Sequence, residues 1–158
     1  MTREQFIALV EQHRKAFRRF LAGLCCGDTQ LADDIAQESF VKAYLSSDGL
    51  EDSARFKAWL YRIGINTFLT ERRRYRPVTG YDEITNHAAE TGADDAFRYQ
   101  ELYQALDRLP DRERTSLLLF YLEGYPVKDI AAMVGVSEEA VRQHLSRGRS
   151  HLRNLMTK

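Results

Sequence analysis

The chain holds only two cysteines, Cys25 and Cys26, and they are adjacent. No histidine or further cysteine stands at metal-ligand spacing from them, so a reduced, buried pair is expected rather than a disulfide or a zinc site. No apolar run approaches the roughly 20 residues of a membrane span, so no membrane insertion is expected. The first residues, MTREQFIALVEQHRK, carry charges where a signal peptide has its apolar centre, which makes the cytoplasm the expected compartment. A catalytic set is missing too. His13, His87, His144 and His151 are scattered, no Ser or Cys has a nucleophile's surroundings, and no glycine loop could cradle a phosphate. Neither enzymatic activity nor a small-molecule substrate, cofactor or metal is expected. Net charge is absent as well, with 23 basic residues against 23 acidic. As a total, this weighs against a nucleic-acid partner.

The distribution of that charge says the opposite. Arg55 to Arg76 holds seven Lys or Arg and a single acid, Glu71, while Ala140 to Lys158 holds five basic residues and no acid. Between them, Pro77 to Ala96 has five acids and no Lys or Arg. One basic block alone is more often a solvated helix face. Two, joined by an acidic strap, point to two polyanion contacts and a separate role for the connector.

Apolar spacing is helical throughout. Phe6, Val10, His13, Phe17, Phe20, Leu21 and Leu24 recur at steps of three and four, predicting a helix over Arg3 to Leu24. Gly27 stops it and Asp28 caps the next, Thr29 to Leu45, which carries Ala32, Ile35, Ala36, Phe40, Ala43 and Tyr44. After a polar break with Gly49, Ser53 caps a third helix to about Tyr75, whose inner face holds Phe56, Trp59, Leu60, Ile63 and Thr67. Gly64 lies inside it, at a cost of ~1 kcal/mol relative to Ala. Beyond an aperiodic acidic stretch, Asp94 or Asp95 caps a fourth helix ending near Leu109, and Pro110 opens a fifth through Leu122. A sixth covers about Val127 to Val134, and a seventh, capped by Ser137, covers Glu138 to about Met156. The expected fold is all-α: two small helical bundles joined by an acidic flexible linker. The boundaries are 1–76, 77–94 and 95–158. A polar tether of this length leaves the angle between bundles to a partner.

The last two helices have the layout of a helix-turn-helix. Ala131 is small where two helices would cross, and Gly135 permits positive φ at the turn. Ile130, Val134, Val136, Val141 and Leu145 fill the core beneath. The last helix then presents Arg142, Gln143, Ser146, Arg147 and Arg149, and its N-terminal half suits a major groove. A plain helical hairpin with a basic surface is the weaker reading of the same residues.

Three blocks in order carry a family resemblance over about residues 3 to 156. They are Ala32-Asp-Asp-Ile-Ala-Gln-Glu-Ser-Phe-Val-Lys-Ala-Tyr44, Phe56-Lys-Ala-Trp-Leu-Tyr-Arg-Ile-Gly-Ile-Asn66 with Glu71-Arg-Arg-Arg74, and Leu109-Pro-Asp-Arg-Glu-Arg114 with the helix-turn-helix. The first two resemble region two, and the last resembles region four, of bacterial sigma-seventy factors. With regions one and three lacking, the whole resembles the extracytoplasmic-function group of these RNA polymerase subunits.

The resemblance implies that Asp34, Ile35, Gln37, Glu38 and Phe40 bind core RNA polymerase at its β′ coiled coil. It implies that the second bundle meets the β flap, and that the partners include double- and single-stranded promoter DNA and an anti-sigma factor. Arg62, Asn66, Arg72, Arg73 and Arg74 would meet the minus-ten element, with the arginines on phosphates. The loop from Ser46 to Arg55 would hold a flipped non-template base, aiding promoter melting. Trp59 is expected in the core. The acidic linker would thread a basic channel of the polymerase or simply keep a tether solvated.

One departure bears on specificity. The family often has Thr-Val-Lys-Ser-Arg where this chain has Ala140-Val-Arg-Gln-His144, so its minus-thirty-five preference is not inferable from the family. Two other classes fit the residues: a stand-alone regulator that binds an operator as a dimer, and an adaptor that binds polymerase without DNA. Gel shift of promoter DNA with and without core polymerase separates them.

Arg pairs with guanine and Gln with adenine, each pair contributing ~1–3 kcal/mol of discrimination. Gln143→Ala should therefore relax the preference at one minus-thirty-five position. Arg149→Ala or Arg153→Ala should weaken all sequences alike and flatten the salt dependence. Binding to a randomised library at two salt concentrations measures both, and unchanged base preferences for Gln143→Ala would mean that this side chain faces away from the groove.

Overall fold

The computed structural model describes residues 1–50, 52–74 and 93–156, with side chains for all of these except 73, 74 and 93–99. The expected linker at 77–94 thus lies almost wholly outside the described residues. Among those described there is no strand. Seven α-helices follow in order: α1 Arg3–Leu24, α2 Thr29–Leu45, α3 Phe56–Arg74, α4 Ala93–Asp107, α5 Asp111–Leu117, α6 Val127–Val134 and α7 Glu138–Met156.

Local chemistry fixes the ends. Thr2 and Gln5 form a reciprocal capping box on α1: each backbone N–H donates to the other's side-chain oxygen, at 3.1 and 2.9 Å. At the far end Gly27 adopts φ +89°, a left-handed value that glycine takes without steric cost. Asp28 then accepts from the Leu31 amide at 3.1 Å and starts α2. Ser53 does not cap α3 directly. Ser53–Arg55 forms a 3-10 turn whose cap is Asp52, accepting from Ala54, and the α-helix begins at Phe56.

Helices α1 to α3 enclose a core led by Phe17, Phe20, Leu21, Ile35, Leu60, Tyr61, Ile65 and Phe68, none more than 1% exposed. Aromatic edges set its geometry, with Tyr61 5.3 Å from Phe17 and 4.9 Å from Phe20 between ring centroids. Trp59, expected in this core, is only half-buried, because the end of α3 that carries it opens onto a cleft. Gly64 has a packing reason. A Cβ there would stand 2.7 Å from the Phe17 ring, so only glycine lets α3 lie this close to α1.

Helices α4 to α7 form the second bundle around Leu106, Leu109, Leu117, Leu119, Ile130, Met133, Val141 and Leu145. The fifth helix is not uniform as expected. After Leu117 the chain widens into a π turn, Leu118–Leu122, with the Glu123 amide donating to the Leu118 carbonyl at 3.1 Å.

The bundles are packed together, whereas the tether alone would leave their angle open. At the contact, a Cβ on Gly23 would sit 3.2 Å from Leu118, and one on Gly27 would sit 3.2 Å from Tyr103. Arg114, 0% exposed, crosses the join. Its Nη1 donates to the Leu24 carbonyl at 2.9 Å, its Nε to Leu106 at 2.9 Å, and its Nη2 to Leu109 at 3.2 Å and Asp107 at 3.3 Å. Elsewhere between the bundles, Tyr61 donates to the Glu123 carboxylate at 3.1 Å, and Lys57 stands 3.4 Å from the same oxygen.

Gly64→Ala weighs two effects against each other. Helix propensity gains ~1 kcal/mol, while overpacking against a ring that cannot retreat costs ~1–3 kcal/mol. The variant should unfold at lower urea concentration than the wild type, and a raised midpoint would show that Phe17 has room to move.

Candidate nucleic-acid interface

The sharpest surface is on α7. Ser137 Oγ accepts from the Ala140 amide at 3.1 Å and caps the helix, and Glu138 and Glu139 occupy its positive end. Gly135 ends α6 at φ +76°, making the tight turn of a helix-turn-helix. Val141, Leu145 and Gly148 face inward. A Cβ on Gly148 would meet Leu117 at 2.8 Å, so α7 rests directly on α5. With the inner stripe so fixed, Arg142, Gln143, Ser146, Arg147 and Arg149 are all exposed.

These side chains differ in freedom. Arg142 is within 3.5 Å of Glu138 and 3.8 Å of Glu139, both exposed, which holds its guanidinium near the helix start. Such exposed pairs contribute little and yield readily to a phosphate or base. Arg149 donates to the Tyr121 hydroxyl at 3.1 Å, placing it beside the π turn. His144, between Gln143 and Leu145, is half-buried. Burial, aided by the Arg112 and Arg147 guanidinia and opposed by Glu113, holds it below its ordinary range. It adds no charge to the face at neutral pH. His151 makes a 2.7 Å contact from Nδ1 to the buried Glu113 carboxylate and ties α7 to α5.

The first bundle carries a second basic surface. Arg62 and Asn66 are exposed one turn apart on α3, so they share a face. Arg62, Trp59, Arg55 and Leu50 line an open cleft of about 1350 Å³, whose opposite wall is Tyr125, Asp129 and Met133 of the second bundle. The expected base-holding loop forms one side of it. Ser47 donates to the Tyr44 carbonyl at 2.9 Å, and short 3-10 turns at Ser47–Gly49 and Ser53–Arg55 stiffen it.

Arg72 is engaged within the molecule. Its guanidinium is turned toward the second bundle, 3.3 Å from Asp111 and 3.9 Å from Asp107, over the Phe68 ring. Arg73 and Arg74 have side chains outside the described set.

On α2, Asp34, Gln37 and Glu38 are exposed on one face and Phe40 is half-buried against Phe17, with ring centroids 5.5 Å apart. Ile35 needs correction as a surface residue. At 1% exposure it belongs to the core, because one helical stripe faces α1 and α3 and Ile35 lies on it with Ala32, Ala36 and Ser39. Val41 and Leu45, 59% and 76% exposed, extend the outer face with apolar surface that the sequence reading passed over.

Cys25 and Cys26 are free, as expected. Burial pushes both thiols up, Cys26 to about 12, so neither is a ready nucleophile.

A helix-turn-helix with an exposed cationic helix, packed on a second helical bundle with its own basic face, defines a two-bundle DNA-binding protein. The profile for Sigma-70 region 2 matches residues 9–77, and that for Sigma-70, region 4 matches residues 99–152. The ECF RNA polymerase sigma factor SigW of Bacillus subtilis is 30% identical, over 80% of this chain and 76% of its own. SigE of Mycolicibacterium smegmatis, also an ECF RNA polymerase sigma factor, is 33% identical over 95% of this chain and 61% of its own. The sigma factor RpoE from Bartonella quintana, solved in complex with the anti-sigma factor NepR, superposes with TM-score 0.80. It is 27% identical, and the match covers 97% of each chain. CnrH in complex with the cytosolic domain of CnrY gives 0.72 at 27% identity, over 98% of this chain and 89% of the other. This chain belongs to the extracytoplasmic-function RNA polymerase sigma factors of the sigma-70 family. It initiates transcription, and its family binds core RNA polymerase and promoter DNA.

Because α7 is held at its start by one hydroxyl, Ser137→Ala should cost ~1 kcal/mol, and Ser137→Asp should retain most of it. Hydrogen exchange at the Ala140 and Val141 amides reads the effect. Unchanged protection in Ser137→Ala would show that packing on α5 alone holds the first turn.

Proposed function

We propose that the two bundles divide the work at the boundaries 1–76, 77–94 and 95–158. The second bundle reads the minus-thirty-five element in duplex DNA through Arg142, Gln143, Ser146, Arg147 and Arg149. The observation that carries this is the register of α7: these five are exposed while Val141, Leu145 and Gly148 are buried, so one face is offered to a groove. Gln143 and Arg142 stand in the first turns, where base edges are within reach, and Arg149, further along, suits phosphate.

The first bundle engages the minus-ten element. Arg62 and Asn66 meet it along α3, with Arg72, Arg73 and Arg74 on phosphates. The loop beside the cleft captures an unstacked non-template base, so duplex opening is assisted by binding the single strand. Neither bundle performs chemistry. Joining of nucleotides is left to the polymerase, and no cofactor is called for.

The exposed face of α2, with Asp34, Gln37 and Glu38 and the partly buried Phe40, docks on the β′ coiled coil, and the second bundle docks on the β flap. The apolar Val41 and Leu45 beside the acidic residues support the first contact, since docking surfaces combine an apolar patch with a polar rim. An anti-sigma partner is supported by the structural neighbour RpoE, which was solved with NepR. No described helix is long and apolar enough to cross a membrane, and action in the cytoplasm, where core polymerase is met, accords with this reading.

Purified protein added to core polymerase should start transcription from a promoter with both elements. Arg147→Ala should lower minus-thirty-five binding and spare polymerase binding, while Gln37→Ala or Phe40→Ala should do the reverse. Run-off transcription, fluorescence anisotropy and polymerase co-elution measure these. Tight specific operator binding without polymerase, with no initiation, would sink the reading, and equal loss of both activities in every variant would sink the division of surfaces.

A further inference from the structure

Arg72 lies in the basic block that ends α3, yet its guanidinium is neutralised from within. Asp111 stands 3.3 Å from Nη2 and Asp107 3.9 Å from Nη1. The two acids bracket the turn joining α4 to α5 in the second bundle, Asp107 ending α4 and Asp111 starting α5. Asp107 and Asp111 also flank Arg114, at 3.9 and 3.8 Å. The two guanidinia converge on the buried Phe68 ring, at 5.7 Å for Arg72 and 6.0 Å for Arg114. Two carboxylates facing an arginine on an aromatic platform present it with what a nucleic-acid backbone would: paired anionic oxygens.

This contact exists only while the bundles touch. Elements named for positions minus ten and minus thirty-five lie about 25 base pairs apart, or about 85 Å along the duplex at about 3.4 Å per step. A compact chain of 158 residues has a radius of gyration of only about 15 Å. The bundles must therefore part to hold both elements. Arg114 keeps its bonds to Leu106, Asp107 and Leu109 within its own bundle on parting and gives up only the Leu24 carbonyl. Arg72 loses both of its acids.

We propose that the Asp107–Asp111 turn is a built-in surrogate for DNA phosphate, which occupies Arg72 in the closed chain and releases it when the bundles separate. The proposal rests on the reading of Arg72 as a phosphate contact. The closed chain thereby withholds part of its minus-ten surface, and polymerase and promoter are engaged at the expense of the same ion pairs. Elsewhere on the join, Tyr61 and Lys57 hold Glu123, so closure does not depend on this turn alone.

The full chain without polymerase is the test, with a short fluorescein-labelled DNA single strand of mixed sequence as probe and X-ray scattering to read compactness. Asp107→Asn/Asp111→Asn should bind the strand at least about threefold more tightly, because a larger fraction of the chain is competent, and its radius of gyration should rise. Glu4→Gln/Glu11→Gln, the same change of charge near the start of α1, should give neither effect. Arg72→Ala added to the double variant should abolish the gain. If the double variant binds and scatters like the wild type, the surrogate is refuted, even if Arg72→Ala then weakens binding and so upholds its contact with DNA. If the gain survives Arg72→Ala, the reading of Arg72 as a phosphate contact is what fails. Should the double variant not fold by circular dichroism, Asp111→Asn alone, which leaves Asp107 to Arg114, decides by the same readouts with a smaller gain.

Discussion

A buried guanidinium organises the junction of this molecule. Arg114 is fully enclosed, and its donors end on four carbonyls, three from the end of α4 and the turn after it and one from the end of α1. A charge in that position is tolerable only when its nitrogens are hydrogen-bonded, and here each of the three is. The α4–α5 turn must therefore keep its shape, and while the bundles are packed together the α1 terminus supplies the fourth carbonyl. Removing such a buried partner costs ~3–5 kcal/mol, against a total stability of ~5–15 kcal/mol for a folded protein. The same bonds that finish the second bundle also set where the first one sits.

From that junction the two exposed cationic faces follow by rigid steps. The α4–α5 turn sets the direction of α5, and Gly148 allows α7 to lie on Leu117, which fixes the rotation of the recognition helix. On the other side, Gly64 allows α3 to lie on the Phe17 ring, which fixes the rotation of the helix that carries Arg62 and Asn66. Each cationic face is thus aimed by a glycine on the opposite side of its own helix. The arrangement is economical in stability, because these exposed cationic residues take no part in the core and can vary without unfolding it.

The join between bundles is of another kind. It mixes small-residue contacts at Gly23 and Gly27 with polar groups: the Arg114 bond to Leu24, the Arg72 pairs, and the Glu123 cluster. Inter-domain contacts of this polar composition behave like transient interfaces and permit relative motion. A polar join of this kind accords with the proposed reading, in which the two bundles part to hold DNA elements that lie far beyond the compact diameter of the chain.

The sequence by itself determined the helices and most of their inward stripes, Tyr44 at 49% exposure being an exception on α2, because both are local: capping residues, glycine stops and three-four spacing act within a few residues of one another. Hence α1, α2 and α6 have the expected bounds, Gly135 turns as expected, and the exposed face of α7 carries every residue named for it. The family was legible for the same reason, since its blocks are contiguous. Ile35 was misplaced because a resemblance names a segment of helix, while burial picks out one stripe of it. Trp59 was placed too deep because periodicity does not show where a bundle opens into a cleft. What only the tertiary structure decided was which distant groups meet: Arg114 with Leu24, Arg72 with Asp111, Tyr61 with Glu123. These pairs lie tens of residues apart, and no spacing rule links them. They form because packing first brings the bundles together and burial then demands a partner for every charge at the join.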